Sequence, residues 1–419
     1  MEKLCEKTIS VIGLGVVGLT TAVGFALKGH SVIGIDVTPE KVMGIADGIN
    51  PTYEKGLGEA LKKVKLATST DFEQVLNSDV SFLCVGTPGN ADGSINSRPM
   101  QEAADQLAEQ LKGKENPHLV VIRSTVVPGT TEDKIIPLFK DMPEVRVCVN
   151  PEFLREGTAL EDFMAPNRII IGEDHRRQGD ILLGLYNGTA DFSHVLRTNF
   201  RTAEMIKYTS NAFLATKISF INEIGNICKK LGVDVYEVAK GMGYDKRISK
   251  DFLRAGIGFG GFCLPKDTAA LVMHAKEAGY TPKILQEVLQ LNKEQPLRML
   301  ELLKIHIPSL KDKVIGILGL SFKPNSDDTR ESKAVPIVEA LLREGARVRA
   351  YDPQAIPNFQ RLFPQIEYSS AAEVLASDAT LIITEWDEFN YLDYGNSIVI
   401  DGRNIEAAKR ARIYEGICW

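Results

Sequence analysis

Apolar positions change their period several times along this chain, and each change marks an element. Thr8-Ile-Ser-Val-Ile12 is a short β-branched run, and residues 31–36, 80–85, 119–123 and 145–149 repeat the type. Continuous apolar runs of this length are typical of strands covered on both faces of a parallel sheet. A helical stretch reaching Lys28 separates the first two runs. Across 199–231 the pattern becomes helical, with Met205, Ile206, Phe213, Leu214, Ile218, Ile221, Ile224 and Ile227 at that spacing. Shorter helical segments follow at 234–241, 267–276 and 282–306. The opening pattern then returns: 313–319 runs from strand into a glycine turn, 346–352 is a strand ending in an acid, and 380–383 and 397–400 are further strands. The expected fold is α/β, with two Rossmann-like doubly wound domains joined by a long central helix and a helical middle region. The expected boundaries are 1–198, 199–306 and 307–419. A helix as long and polar-poor as 199–231, without a partner in its own half, also predicts the spine of a homodimer or higher homo-oligomer.

Ligands in open parallel sheets sit outside the carboxyl ends of the strands, so chemistry is sought there. After the first strand stands Gly13-Leu-Gly15-Val16-Val17-Gly18, and the second strand ends in Asp36, eighteen residues past Gly18. Strand, glycine turn, helix and acid each have a task. The glycines let a pyrophosphate approach a helix N-terminus, and the acid accepts from ribose hydroxyls. An acid at Asp36 also repels a 2′-phosphate, which favours NAD over NADP. Lys41 could reach the adenosine end or lie on a solvated helix face. Later strand ends carry Thr87, then Ser124-Thr125, then Asn150-Pro-Glu152-Phe153-Leu154-Arg-Glu156.

Residues 256–267, Gly256-Ile-Gly-Phe-Gly-Gly-Phe-Cys-Leu-Pro-Lys-Asp267, form the other dense motif. Glycines permit tight bends and close approach to a ligand, and a cysteine at a helix start is placed to hold a thiolate. A buried structural cysteine in a glycine turn is the bland alternative. Lys207 and Asn211 are four apart and share a helix face. The second nucleotide-type domain lacks the glycine fingerprint and carries Phe322-Lys323, Thr329-Arg330-Glu331-Ser332 and Asp401-Gly-Arg403 instead. Lys323 and Arg403 at strand ends suit a phosphorylated ligand that is not the redox cofactor.

Composition narrows the partners. The 419 residues are 44% hydrophobic and 25% charged with a net charge of −6, an ordinary globular balance that gives no reason to expect nucleic acid or an anionic membrane. No apolar run approaches a spanning length, and Met1-Glu-Lys-Leu-Cys-Glu-Lys lacks the core of a signal peptide. The six cysteines (5, 84, 148, 228, 263, 418) are scattered without a CxxC pair, so neither a metal site nor a disulfide frame is expected, and a cytoplasmic location fits.

Taken jointly, from Gly13 to Arg403, these motifs resemble the UDP-glucose/GDP-mannose dehydrogenase family, the nucleotide-sugar dehydrogenases. Two-electron β-hydroxyacid dehydrogenases share the first glycines and the Lys-x-x-x-Asn helix but lack the cysteine loop. The resemblance implies oxidation of a sugar C6 alcohol to a carboxylate with two NAD+ in turn. Cys263 would capture the aldehyde as a thiohemiacetal, whose oxidation gives a thioester that water opens. Lys207 and Asn211 would hold the developing oxyanion, Asp267 would order a water with Thr125, and Glu156 would contact the sugar or support the site. Glu152, Lys207 and Asp267 acting through water all compete for the first proton. By the same resemblance Arg330 would meet NAD, and Arg254, Phe259, Gly260, Phe322, Lys323 and Arg403 the sugar nucleotide, with Arg247 reaching it from another subunit. Phe262 departs from the pattern, since the family usually has serine there, or histidine in relatives that oxidise N-acetylated sugars. Glu415-Gly-Ile-Cys-Trp419 is similar to GDP-mannose enzymes. Asp245-Lys-Arg247-Ile and Asp401-Gly-Arg-Asn404 are similar to the UDP-glucose branch, which is the expectation adopted. A dehydrogenase of another nucleotide sugar (GDP-mannose or a UDP-N-acetylhexosamine), a two-electron NAD-dependent hydroxyacid dehydrogenase and a catalytically silent nucleotide-binding regulator remain as alternatives.

Overall fold

The computed structural model describes residues 6–186 and 194–419; Cys5 and the rest of 1–5 lie outside the described residues, as do 187–193. Eight strands form the first sheet: β1 (Thr8–Ile12), β2 (Ser31–Ile35), β3 (Ala67–Ser69), β4 (Val80–Leu83), β5 (His118–Ile122), β6 (Val145–Val149), β7 (Ile169–Gly172) and β8 (Val195–Thr198). Their order is β3-β2-β1-β4-β5-β6-β7-β8. β4 and β5 are buried at every position, as continuous apolar runs require in a doubly covered sheet. The chain leaves β1 toward β2 on one side and returns as β4 on the other, which opens a crevice at the β1/β4 strand ends.

Two expectations about this sheet need correction. It is not wholly parallel, because β7 meets β6 antiparallel at Val149↔Gly172. Three strands, β3, β7 and β8, are additional to the expected ones. β3 and β8 are short and partly exposed, so apolar continuity does not reveal them, whereas Ile169-Ile-Ile-Gly172 carries the same signal as the strands that were read.

The second sheet contains β9 (Val314–Leu318), β10 (Arg347–Tyr351), β11 (Glu367–Tyr368), β12 (Ala379–Ile382), β13 (Ile398–Asp401) and β14 (Ile413–Gly416). Its order is β11-β10-β9-β12-β13-β14, every pair parallel, with the switch point between β9 and β12. The long helix Phe200–Leu231 runs unbroken for 32 residues. Packing divides the chain within it, into Met1–Ser210 and Asn211–Trp419. The middle helices do not have a core to themselves: Ile221, Cys228 and Val235 share one cluster with Ile315, Ile337 and Ile400 of the second sheet and its helices. The helix expected over 282–306 is two helices, Lys283–Glu294 and Arg298–His306, separated by a 3-10 turn at Gln295–Leu297. Pro296 accounts for the break, having no N–H to continue the ladder. No helix among the described residues is long and apolar enough to cross a membrane.

A polar column crosses the first sheet at the amino ends of β1, β4 and β5. Ser10 Oγ lies 2.6 Å from Ser81 Oγ, which is 2.8 Å from His118 Nε2, while Lys114 Nζ donates to His118 Nδ1 at 3.0 Å. Burial pushes the His118 imidazole down to about 3, with Lys114 adding to the effect. The folded ring therefore stays neutral while the unfolded one takes a proton below its ordinary value of 6.5, so stability falls with pH from 6.5 toward 3. We expect His118→Gln to flatten the decline of the urea midpoint between about pH 7 and pH 4.5. Equal slopes in the two proteins would remove this account.

Candidate active site

Each glycine of the first turn has a distinct reason. Gly13 has φ +89° and a Cβ there would stand 2.9 Å from the Cys84 carbonyl oxygen; a Cβ on Gly18 would stand 1.7 Å from the Gly13 oxygen. These two close the turn onto the helix Val16–Leu27. Gly15, at that helix's N-cap, has nothing within 4 Å of its Cβ position and is exposed. The open side of the N-terminus, flanked by Val16 and Val17, is therefore where a pyrophosphate fits. Asp36 Oδ2 accepts from Leu14 N and Lys41 Nζ, both at 2.8 Å, and Oδ1 accepts from Thr38 N at 3.0 Å. Burial works to raise its pKa, but the Lys41 ammonium and those N–H groups hold it below the usual carboxylate value. Lys41 is thus the partner of Asp36. These residues fit a dinucleotide at the β1/β4 crevice, with Asp36 ionised and ready to accept from ribose hydroxyls.

The β4 and β5 ends are tied together, Thr87 Oγ1 donating to the Thr125 carbonyl at 2.9 Å and Ser124 Oγ to that of Val85 at 2.8 Å. Asn150 is more than a turn residue. Its Oδ1 accepts from Arg123 at 2.6 Å and from Tyr186 Oη at 2.8 Å, and its Nδ2 donates to the Ile170 carbonyl at 3.0 Å. It clamps the end of β6 to β5 and β7, fixing where Glu152 emerges.

Glu152 Oε1 accepts from Lys207 Nζ at 2.8 Å and Oε2 from Leu154 N at 2.6 Å. Both charged side chains are under 10% exposed. Burial alone would raise the Glu152 pKa, but the ammonium beside it and the Leu154 N–H bring it below its ordinary value. Glu152 is a carboxylate in this structure. The Phe153 ring carries Arg168 at 3.7 Å and Lys207 at 5.5 Å from its centre, a cation–π floor under the ammonium. Glu156 is half-buried. Its loop is held by Glu54, a buried residue the sequence reading missed, which accepts from Gly157 N at 2.8 Å and Ala159 N at 3.1 Å. Glu204, also missed, accepts from Gly129 N and Thr131 N at 2.6 and 2.9 Å and anchors the loop after β5 to the long helix. Neither carries a motif; each is a lone acid at helical or loop spacing.

In the second unit, Asn211 Nδ2 donates to Asp267 Oδ2 at 2.6 Å, while Lys266 Nζ donates to Asp267 Oδ1 at 2.5 Å. Asp267 is 1% exposed, so both partners work in a low dielectric. The helix begins at Cys263 rather than at Asp267, extending over Cys263–Glu277 and putting Pro265 in the first turn, where its missing N–H is no loss. Cys263 is exposed, whereas Cys84, Cys148, Cys228 and Cys418 are buried. Burial pushes the Cys84 and Cys418 thiols up to about 12 and Cys148 higher still. Among these thiols Cys263 alone has the setting of a reactive one.

The glycines of the loop are occupied by protein, not left open for a ligand as their density suggests. A Cβ on Gly256, Gly258, Gly260 or Gly261 would lie 2.8 Å from Gly402 O, 2.5 Å from Asn292 Oδ1, 2.4 Å from Glu331 O or 2.6 Å from Phe322. They let the cysteine loop pack onto the loops leaving β9 and β13. Polar side chains then hold it: Asn222 accepts from Gly256 N at 2.8 Å, Gln295 donates to Gly256 O at 2.9 Å, and Asn292 brackets Phe259 through its N and O at 2.7 and 3.0 Å. The Phe259 side chain is buried with Ala215 and Val288 in a small cluster. The Phe262 ring is flanked by Arg330 at 4.6 Å and Lys266 at 5.2 Å, and Arg330 is also bidentate to Asp328. Lys323 is half-buried over Phe322 at 5.4 Å. Arg254 donates to the Arg403 carbonyl at 2.6 Å; Arg403 donates to the Ile383 carbonyl at 2.6 Å and pairs with Glu385 at 3.1 Å. Arg247 stands apart, its side chain 89% exposed and paired with Asp245.

Three domain profiles of the UDP-glucose/GDP-mannose dehydrogenase family match the chain: its NAD binding domain over residues 7–190, its central domain over 201–294 and its UDP binding domain over 316–407. The chain is similar to the UDP-glucose 6-dehydrogenase AglM of Haloferax volcanii, with 43% identity over 98% of this chain and 99% of the relative. It is similar in structure to a UDP-glucose dehydrogenase from the archaeon Pyrobaculum islandicum, with TM-score 0.97 and 40% identity over 100% of this chain and 99% of that one. A UDP-D-ManNAc dehydrogenase from Pyrococcus horikoshii superposes with TM-score 0.86 and 29% identity over 98% and 99%.

Breaking one buried pair tests the charge assignment. Glu152→Gln leaves the Lys207 ammonium without its counter-charge and should lower stability by about 3–5 kcal/mol in urea unfolding. Adding Lys207→Met should recover most of that stability. If Glu152→Gln is as stable as the parent, the pair is not what holds this end of the helix.

Proposed function

We propose, because the chain belongs to the UDP-glucose/GDP-mannose dehydrogenase family, that it oxidises the C6 alcohol of UDP-glucose to UDP-glucuronate in two successive hydride transfers. The carrying observation is Cys263, the exposed thiol at a helix start whose first turn leads to the buried Asn211–Asp267 pair. NAD+, held at the Gly13–Gly18 turn with Asp36 on the ribose and Thr87, Thr125 and Arg330 nearby, supplies the hydride acceptor for both transfers.

Loss of a hydride and a proton from the C6 alcohol gives an aldehyde. Cys263 adds to its carbonyl carbon, so a C–S bond forms and the oxygen becomes an alkoxide. The Lys207 ammonium and the Asn211 amide are the donors we assign to that oxygen, because both are already oriented by a carboxylate, Glu152 and Asp267 respectively. Loss of a second hydride leaves a thioester. Water then adds, the C–S bond breaks, and the acid and the thiol are released, with Asp267 and Thr125 ordering the water. Four electrons leave the sugar and two NADH form. For the first proton we favour Lys207 over Glu152, since Glu152 is an ionised carboxylate already committed to two donors and is a weak base.

Glu152, Phe153, Leu154 and Glu156 are proposed for the sugar, and Phe259 and Gly260 through their main chain. Arg254, Phe322, Lys323 and Arg403 are proposed for the nucleotide. The unpaired copper-coloured logic of disulfides is absent: the cysteines are free among the described residues, which supports a reducing, cytoplasmic setting. Phe213, Phe220 and Ile227 recur every seven residues on the long helix and are 63, 44 and 50% exposed, with Leu231 at 71%. Such a seam supports a homodimer packed helix to helix, from which Arg247 would reach the partner's substrate.

Wild type should form two NADH per UDP-glucose, and a panel of UDP- and GDP-sugars should single out UDP-glucose. Cys263→Ala should bind NAD+ and UDP-glucose yet lose the second hydride, and acid quenching of wild type should leave a sugar adduct on the peptide holding Cys263. Full four-electron turnover by Cys263→Ala would remove the thioester route. In a separate measurement, Phe220→Asp with Ile227→Asp should shift sedimentation from dimer to monomer; an unchanged dimer would place the interface elsewhere.

A further inference from the structure

Buried cations in this protein have partners: Lys207 has Glu152, Lys266 has Asp267, and Arg123 has Asn150 and Tyr186. Lys333 is the exception. It is 7% exposed, yet no hydrogen bond or ion pair reaches its ammonium among the described residues. Its Nζ lies 6.0 Å from the centre of the Phe259 ring. An ammonium left this way loses its hydration without compensation, which is costly unless something else supplies the acceptor.

The position of Lys333 says what that acceptor is. The residue is the N-cap of the helix Ala334–Arg343, which follows β9 as the helix Val16–Leu27 follows β1. The turn before it is constrained. Glu331 has φ +52°, a conformation that non-glycine residues seldom take, and its carbonyl fills the space above Gly260. Lys333 thus sits between Phe259 of the cysteine loop and the β9/β12 switch point, with Arg403 at the end of the neighbouring β13. The charged groups that act on it are Glu331 and Arg403. A molecule reaching from the β9/β12 crevice toward Cys263 runs past the helix start that Lys333 caps.

We propose that Lys333 is a further substrate-binding residue, its ammonium donating to the diphosphate of the nucleotide sugar at the start of the helix Ala334–Arg343. This rests on the nucleotide-sugar reading above. Burial brings the free Lys333 down to about 8, with Glu331 opposing the fall and Arg403 adding to it. A diphosphate beside it restores the charged form, so the protein takes up protons when the nucleotide binds between about pH 8 and 9, and not below about pH 7.

Titration calorimetry with UDP alone, repeated in buffers of different ionisation enthalpy, reads both effects. Wild type should show proton uptake near pH 8.5. Lys333→Met keeps the aliphatic stem; it should weaken UDP about ten- to a hundredfold and abolish the uptake. Lys333→Arg should retain much of the affinity without uptake, because guanidinium does not titrate there. NAD+ affinity, set in the first unit, should be unchanged in both variants and reports that they are folded. If Lys333→Met binds UDP as wild type does with the same proton uptake, Lys333 is no ligand of the diphosphate. If wild type itself fails to bind UDP while binding NAD+, the nucleotide-sugar reading falls and this inference with it.

Discussion

The ion pair of Glu152 and Lys207 sets the terms for the first half of the site. Two opposite charges buried at 2.8 Å would be destabilising if either were left with unmet hydrogen bonds. Leu154 N supplies the other oxygen of Glu152, and the Phe153 ring lies beneath the ammonium. Everything that holds Glu152 in place, from Asn150 clamping three strands to Glu54 tying down residues 157–159, serves to keep that pair from opening. Asn211 and Asp267 repeat the solution in the second unit, with an amide in place of the ammonium.

Much of this was legible in the sequence because it is local. The Gly13-x-Gly15-x-x-Gly18 turn, Asp36 and the cysteine loop each announce themselves within a dozen residues, and long apolar periods mark β1, β9 and the long helix. What sequence reading missed depends on contacts distant along the chain. Glu54 acts on residues 103 and 105 positions away, Glu204 on residues more than 70 away, and Asn222, Asn292 and Gln295 on the cysteine loop from three separate places. None has a neighbour pattern to give it away. β3 and β8 were missed for a different reason: partly exposed edge strands need little apolar surface. The split of 282–306 was within reach, since Pro296 stands in its middle.

Glycine density in the cysteine loop misled in an instructive way. Close approach was expected, but of a ligand; the approach observed is of Glu331, Phe322, Asn292 and Gly402. The same residue type in the first turn does both jobs at once, Gly13 and Gly18 closing on protein and Gly15 facing open space. Sequence spacing alone cannot separate these roles, because a missing side chain looks alike whichever neighbour fills the gap.

That packing carries a consequence for timing. With Gly260 against the Glu331 carbonyl and Gly261 against the Phe322 ring, the nucleophile's mount and the cradle that follows β9 have no slack between them. Any displacement of Phe322 or Glu331 is transmitted to the backbone two or three residues from Cys263. The thiol is therefore geared to its cargo's far end: occupancy of the distant cradle registers at the sulfur as a mechanical event before any sugar carbon arrives.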